Sequence, residues 1–235
     1  MLAGGMGTRL GNLAGELPKP MAPVEGRPFL EYLLDYWIGQ GIRRFVLSVG
    51  WRYEAVEKHF GRSYGGVRLD YSVEQELLGT GGGLLQAHKQ VRKNDSFLVL
   101  NGDTFFEVPF REFMIFHEAR EAEMTLALAR MEKPDRYETV AMDGTNRILD
   151  FKTRSGAGGG AWINGGVYLM SARCLAGGHG APGGKLSLEN QILPGLLAAE
   201  RKIYGFPAAG RFLDIGVPES YQAARDVLCA KKGAL

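Results

Sequence analysis

The chain opens on a glycine-rich run, Leu2-Ala3-Gly4-Gly5-Met6-Gly7-Thr8-Arg9-Leu10, which constrains the fold more than any other segment. Glycines at positions 4, 5 and 7 leave backbone N–H groups free to close round an anion. Arg9 is always charged and forks onto phosphate oxygens. Lys19, between Pro18 and Pro20, adds a point charge on a stiff segment. A glycine nest with two cations describes a site for a ligand carrying several phosphates, and so a nucleotide. The spacing is neither that of a dinucleotide fingerprint nor that of a P-loop, whose lysine follows the last glycine directly. The alternative for the run read alone is a tight strand-to-helix turn with a solvated arginine, and for Lys19 a surface lysine.

The order of elements extends the nucleotide reading. Phe29, Leu30, Leu33, Leu34, Trp37 and Ile38 recur at helical spacing and Gly39 and Gly41 end that helix. Phe45 to Val49 is a short buried strand, Tyr53 to Phe60 a helix, and Val67 to Val73 an alternating strand. Leu84 to Val91 is helical, and Phe97 to Leu100 is an apolar strand. Such alternation implies crossovers and a parallel sheet covered on both faces. From Met124 the pattern turns β-rich, with strands at Met124 to Met131, Thr139 to Met142, Arg147 to Phe151 and Trp162 to Met170. Helices from Ser187 to Glu200 and from Pro218 to Cys229 complete the chain. The expected fold is α/β, a mainly parallel mixed central sheet with helices on both faces and a smaller β-rich part. One domain, 1–235, comprises a nucleotide-binding half (about 1–122) and an acceptor-binding half (123–235).

Composition narrows the function. A net charge of +2 makes no electrostatic case for nucleic acid or an anionic membrane, so the useful cations are expected to be focused in a cleft. Cys174 and Cys229 stand apart, without metal-ligand spacing. No apolar run reaches the ~20 residues that span a bilayer, and no signal peptide is expected, which suggests a cytoplasmic protein. The 34 glycines are about twice the usual share, and several clusters adjoin strands. Only Met1 and Leu2 precede Ala3, where a central first strand is expected. The expectation is that a few residues are missing there, and that apolar residues added before Met1 raise the melting temperature and tighten nucleotide binding.

Asn101-Gly102-Asp103 follows the strand Phe97 to Leu100 and so points into the crevice at the strands' carboxyl ends. A carboxylate there repels phosphates unless a cation intervenes, and Mg²⁺ takes one or two carboxylates plus phosphate oxygens. The alternative for Asp103 is an Asx turn. Asp214, inside the apolar run Phe212 to Pro218, needs a cation partner or a helix-capping role, and is expected to share the metal with Asp103. The segment Glu74 to Gly83 is a second glycine loop between strand and helix; Glu74, Gly79 and Thr80 suit a base edge, and guanine's donors suit a carboxylate. Asn164-Gly165-Gly166 sets an amide and two glycines inside a strand, a sign of close ligand approach or a bulge. Lys152 and Arg154 share a strand face and suit a second phosphate, or else are charges on an exposed edge.

On these motifs the chain resembles the sugar-1-phosphate nucleotidyltransferase family. The likeness runs from Leu2–Leu10 and Leu17 to Met21 through Leu78 to Gly82, Leu100 to Phe106 and Ile163 to Gly166, ending with Phe212 to Tyr221. Within the family it is most similar to D-glycero-α-D-manno-heptose 1-phosphate guanylyltransferases, then to mannose-1-phosphate guanylyltransferases. The resemblance implies a Rossmann-like nucleotidyltransferase fold and transfer of a nucleoside monophosphate, GMP from GTP, to a sugar 1-phosphate with release of pyrophosphate. It implies nucleotide contacts from Leu2, Ala3, Gly4, Gly5, Gly7, Thr8, Arg9, Glu74, Gly79, Thr80, Asn101 and Gly102. It makes Arg9, Lys19 and Asp103 catalytic, sets Mg²⁺ on Asp103 and Asp214, and gives the sugar phosphate to Lys152, Arg154, Asn164 and Gly165. One departure stands out: the family's Phe-x-Glu-Lys reads Phe151-Lys152-Thr153-Arg154 here. The other readings are a uridylyltransferase of the same family, a glycosyltransferase using a metal-bound sugar nucleotide, and a non-catalytic sugar-nucleotide sensor. The expected partners are a nucleoside triphosphate and a sugar 1-phosphate, with a homo-oligomer left open and neither nucleic acid nor membrane.

Overall fold

A computed structural model describes residues 1–5, 17–91, 96–134, 136–152, 160–175 and 185–229. In chain order the strands are β1 (Pro23–Val24), β2 (Arg27–Pro28), β3 (Arg44–Val49), β4 (Ser63–Tyr64), β5 (Val67–Val73), β6 (Phe97–Leu100) and β7 (Thr104–Phe106). They continue with β8 (Met124–Met131), β9 (Thr139–Met142), β10 (Ile148–Lys152), β11 (Ala161–Met170), β12 (Ile203–Ala208) and β13 (Phe212–Asp214). The helices are α1 (Phe29–Gly39), α2 (Tyr53–Phe60), α3 (Gly79–His88), α4 (Phe110–Ala119), α5 (Leu193–Ala198), α6 (Pro218–Gln222) and α7 (Ala224–Cys229).

The sheet is parallel where the chain begins and mixed beyond it. β3 runs parallel to β5, in register from Arg44–Arg68 to Val49–Val73. Leu2 bridges in parallel to Ser48 on one side and Asn101 on the other, which puts the chain's first residues at the centre. The Leu2 amide donates to Leu100 (2.8 Å) and the Ala3 amide to Ser48 (2.7 Å). β6 then pairs antiparallel with β11, β11 with β8, and β12 returns parallel to β8.

Side-chain alternation splits the core between the two faces. On β8, Met124, Leu126 and Leu128 face one cluster and Ala127 and Ala129 the other; on β11, Tyr168 and Met170 oppose Val167 and Leu169. Phe29, Leu33 and Trp37 of α1, Val56 of α2 and Phe113 of α4 fill the first side. Leu84 of α3 and Leu193 and Leu196 of α5 fill the second. Helices therefore cover both faces, as the alternation predicts.

Three elements differ most from expectation. α3 begins at Gly79, not near Leu84, so the second glycine run forms the helix's first turns. The helix expected from Ser187 opens as a π-turn, Leu188–Ile192, before α5. The last helix is broken at Ala223 into α6 and α7. No helix among the described residues is long and apolar enough to cross a membrane.

Candidate active site

The carboxyl ends of the central strands open onto a pocket of about 510 Å³, within the ~300–1,000 Å³ range of small-molecule sites. Gly5, Lys19, Asn101, Asp103, Asn164 and Asp214 all line it, so these six predicted residues converge. A smaller pocket of about 280 Å³ adjoins it, lined by Leu2, Gly4, Gly5, Glu74, Gly79 and Thr80. Gly5 lines both pockets and so joins them.

Lys19 is placed by the backbone. It begins a 3-10 turn, Lys19–Met21, entered from the extended Pro18 and anchored by buried Pro20 and Met21. Its ammonium lies 2.5 Å from Asp103 Oδ2, with only 12% of the side chain exposed. Asp103 sits just beyond β6, where Gly102 must pass close to the first strand. A Cβ on Gly102 would come within 2.7 Å of the Leu2 oxygen, so only glycine lets the Gly102 amide reach that oxygen at 2.8 Å.

Asp214 comes from the far end of the chain through the β13–β7 pairing, which sets it opposite Thr104. The Ile215 amide donates to the Asp103 carbonyl at 3.0 Å and ties the two aspartate segments together. Asp214 Oδ1 accepts from the Gly216 amide (2.6 Å) and Oδ2 from the Tyr137 hydroxyl (3.4 Å), with Arg136 at 3.9 Å. It makes a turn and caps no helix: Val217 is the N-cap residue of α6. Burial first, and then the charge of Asp103, push its carboxyl up, while Lys19, the Gly216 amide and Arg136 pull it down. A buried Asp214 carboxylate beside a second carboxylate fits a divalent cation that takes its remaining ligands from phosphate oxygens. Among the described residues no third carboxylate, histidine or cysteine joins them.

Asn164 donates to the Tyr168 hydroxyl (2.8 Å) and accepts from the Gly166 amide (3.1 Å) at the point where the β11–β8 register shifts, the bulge its glycines suggest. Gly165 lies apart from the pocket, buried against Phe106, while Gly166 lines it. Asn101 Oδ1 is buried without a hydrogen-bond partner. Ala3 is buried in the sheet. Glu74 Oε1 accepts from the Ser48 hydroxyl (3.0 Å) and Oε2 from the Leu78 amide (3.2 Å), so its carboxylate braces the floor of the smaller pocket. The Thr80 hydroxyl donates to Glu189 (2.7 Å) and accepts from the Leu188 amide (2.8 Å). Gly7, Thr8, Arg9 and Arg154, with the Lys152 side chain, lie outside the described residues.

Among the further residues that line the larger pocket are Arg136 and Tyr137 ahead of β9, and Glu189 and Asn190 in the π-turn. Arg136 stacks on Tyr137, 4.9 Å from its ring centre. None belongs to a spaced motif; only the pairing of an arginine with a tyrosine, or a polar Glu189-Asn190 among leucines, offers a trace in the sequence.

The model of the nucleotidyl transferase family matches residues 1–231, and the chain belongs to that family. It is 38% identical, over 97% of its own length and 96% of the relative, to a D-glycero-alpha-D-manno-heptose 1-phosphate guanylyltransferase of Aneurinibacillus thermoaerophilus. It is 33% identical to a mannose-1-phosphate guanylyltransferase of Mycobacterium tuberculosis, covering 94% of this chain and 61% of that one. The crystal structure of HddC from Yersinia pseudotuberculosis complexed with GMP-PN superposes with a TM-score of 0.82, at 30% identity over 96% of both chains.

Proposed function

We propose that the protein transfers GMP from GTP to a sugar 1-phosphate, D-glycero-α-D-manno-heptose 1-phosphate, and releases pyrophosphate. The observation that carries this reading is the meeting of Lys19, Asp103 and Asp214 in one pocket that shares Gly5 with a second. The identity to heptose 1-phosphate guanylyltransferases over nearly the full chain supports the choice of base and sugar.

The chemistry asks for charge neutralisation rather than proton transfer. A phosphate oxygen of the sugar 1-phosphate attacks the α-phosphorus of GTP; the bond to the β-phosphate oxygen breaks, and pyrophosphate leaves with those electrons. The attacking phosphate is already ionised at neutral pH, so no general base is required. Lys19 offers three donors. One rests on Asp103, and the others serve the attacking and α-phosphate oxygens as charge accumulates. Gly4 and Gly5 present backbone to the nucleotide, and Gly7, Thr8 and Arg9 take the β- and γ-phosphates. Asp103 and Asp214 hold Mg²⁺, which when bound offsets negative charge on the phosphates. Asn164 meets the sugar, with Lys152 and Arg154 at its phosphate.

The test is a pyrophosphate-release assay over a grid of GTP and UTP against heptose 1-phosphate, mannose 1-phosphate and glucose 1-phosphate. GTP with the heptose phosphate is expected to be fastest, and GTP to exceed UTP at least tenfold, since one lost buried hydrogen-bond pair costs about 1–3 kcal/mol. Equal rates with UTP overturn the base, faster turnover of mannose 1-phosphate overturns the sugar, and no release at all overturns the reaction.

A further inference from the structure

The π-turn at Leu188–Ile192 inserts one residue more per hydrogen-bonded turn than an α-helix, a distortion that accumulates at functional sites. It is fastened to the opposite half of the molecule. The Gly81 amide donates to the Leu186 oxygen (2.8 Å), the Leu186 amide to the Leu78 oxygen (2.8 Å), and the Leu188 amide to the Thr80 hydroxyl (2.8 Å). Ser187 caps the turn, its hydroxyl accepting from the Asn190 amide (3.0 Å).

Glu189 gains most from this arrangement. Its Oε2 accepts from the Thr80 hydroxyl (2.7 Å) and from the Ser187 hydroxyl (3.2 Å). Its Oε1 has no partner among the described residues, and the half-buried side chain lines the acceptor pocket. A carboxylate pinned through one oxygen presents the other in a fixed direction, at little further cost in rotamer entropy. The same pocket holds a second acceptor in need of a donor, the buried Asn101 Oδ1. A fixed carboxylate oxygen in the pocket lining matches a ligand that carries hydroxyl donors.

We propose that Glu189 is a specificity residue that accepts a hydroxyl hydrogen of the acceptor sugar, and that Thr80, from the nucleotide half, is the positioning residue that aims it. This rests on the sugar 1-phosphate reading above. Because Thr80 also lines the nucleotide pocket, the link makes acceptor recognition depend on the loop that receives the nucleotide.

Steady-state kinetics with GTP and the fastest sugar 1-phosphate test it. Glu189→Ala is expected to raise the KM for the sugar phosphate about tenfold or more, the loss that follows removal of a charged hydrogen-bond acceptor, while the KM for GTP stays at the wild-type value. Glu189→Gln, which keeps the shape, gives a smaller shift of the same kind. Thr80→Val reproduces the rise in sugar-phosphate KM and Thr80→Ser, which keeps the hydroxyl, reverses it. Deoxy sugar 1-phosphates identify the hydroxyl: for one of them, wild type and Glu189→Ala become equal. A folded Glu189→Ala or Glu189→Gln enzyme with wild-type sugar-phosphate KM overturns the proposal, as does a rise confined to GTP. A wild-type enzyme that transfers GMP to no sugar phosphate overturns the reaction itself, a result seen before any variant is made.

Discussion

Two glycine-rich segments line the smaller pocket, and Gly5 of the first and Gly79 of the second are kept for different reasons. Among the described residues a Cβ on Gly5 would meet nothing within 4 Å, and Gly5 is exposed where the two pockets join. Packing among the described residues leaves that position free, and the constraint expected on it is the proposed ligand. Gly79 is the reverse: its φ is +75°, and a Cβ would come within 2.6 Å of the Leu186 backbone oxygen. There the fold itself excludes a side chain, because α3 docks on the segment that carries Glu189. Composition alone equates the two segments; contact separates ligand from packing.

The contrast is sharpest in the residues around the first segment. Asp103→Asn, Asp214→Asn and Lys19→Ala are each expected to cut kcat by two orders of magnitude or more, with the fold intact by circular dichroism. For Lys19→Ala the loss falls on kcat, since its charge counts most as the transition state forms. A change confined to KM would make Lys19 a uniform binding group.

The glycines come next in size. Gly79→Ala adds both a strained φ and an overlap with backbone, and is expected to cost about 1–3 kcal/mol, read as a lower melting temperature. Gly5→Ala is expected to leave the melting temperature unchanged and to weaken GTP binding, measured by calorimetry. If the two effects change places, the distinction between them is lost.

A smaller effect follows from Asp214. Its carboxyl is held above the ordinary value of 3.8 by burial and by Asp103. The folded state therefore retains a proton that the unfolded state gives up. Its stabilising contribution is complete below that ordinary value and is lost as pH rises through the raised one. At neutral pH the ionised carboxylate is a standing cost. Thermal melts are thus expected to show ligand-free Asp214→Asn at or above wild type at neutral pH, though nearly inactive. Mg²⁺ with a nucleotide should raise the wild-type melting temperature at neutral pH, and less once Asp214 is protonated. A variant less stable than wild type at neutral pH would contradict the assignment.

Much of this was legible in the sequence where local chemistry and tertiary demand coincide. α2 and β5 span the predicted residues because their apolar spacing has one reading, and Lys19 lies where its prolines point it. The start of α3 was hidden, since glycine costs about 1 kcal/mol against alanine inside a helix and a run of it reads as a loop. Its retention in α3 answers to Leu186 and Ile192, more than a hundred residues away. Arg136, Tyr137 and Glu189 were illegible for the same reason: the return to β9 and the π-turn bring them to the pocket, and neither leaves a period in the sequence. Gly165 shows the converse, a motif residue whose smallness serves Phe106 while its neighbour Gly166 meets the pocket.

The central claim is that bond cleavage occurs at the α-phosphorus, between the two pockets that share Gly5. Its most direct test is a single-turnover reaction with GTP labelled at either the α- or the γ-phosphorus, with D-glycero-α-D-manno-heptose 1-phosphate as acceptor. The account predicts α-label in the sugar nucleotide and γ-label in pyrophosphate, in equal amounts, with both slowed by two orders of magnitude or more in Lys19→Ala. Label from the γ-position on the sugar or in free phosphate, or undiminished turnover by Lys19→Ala, would contradict it.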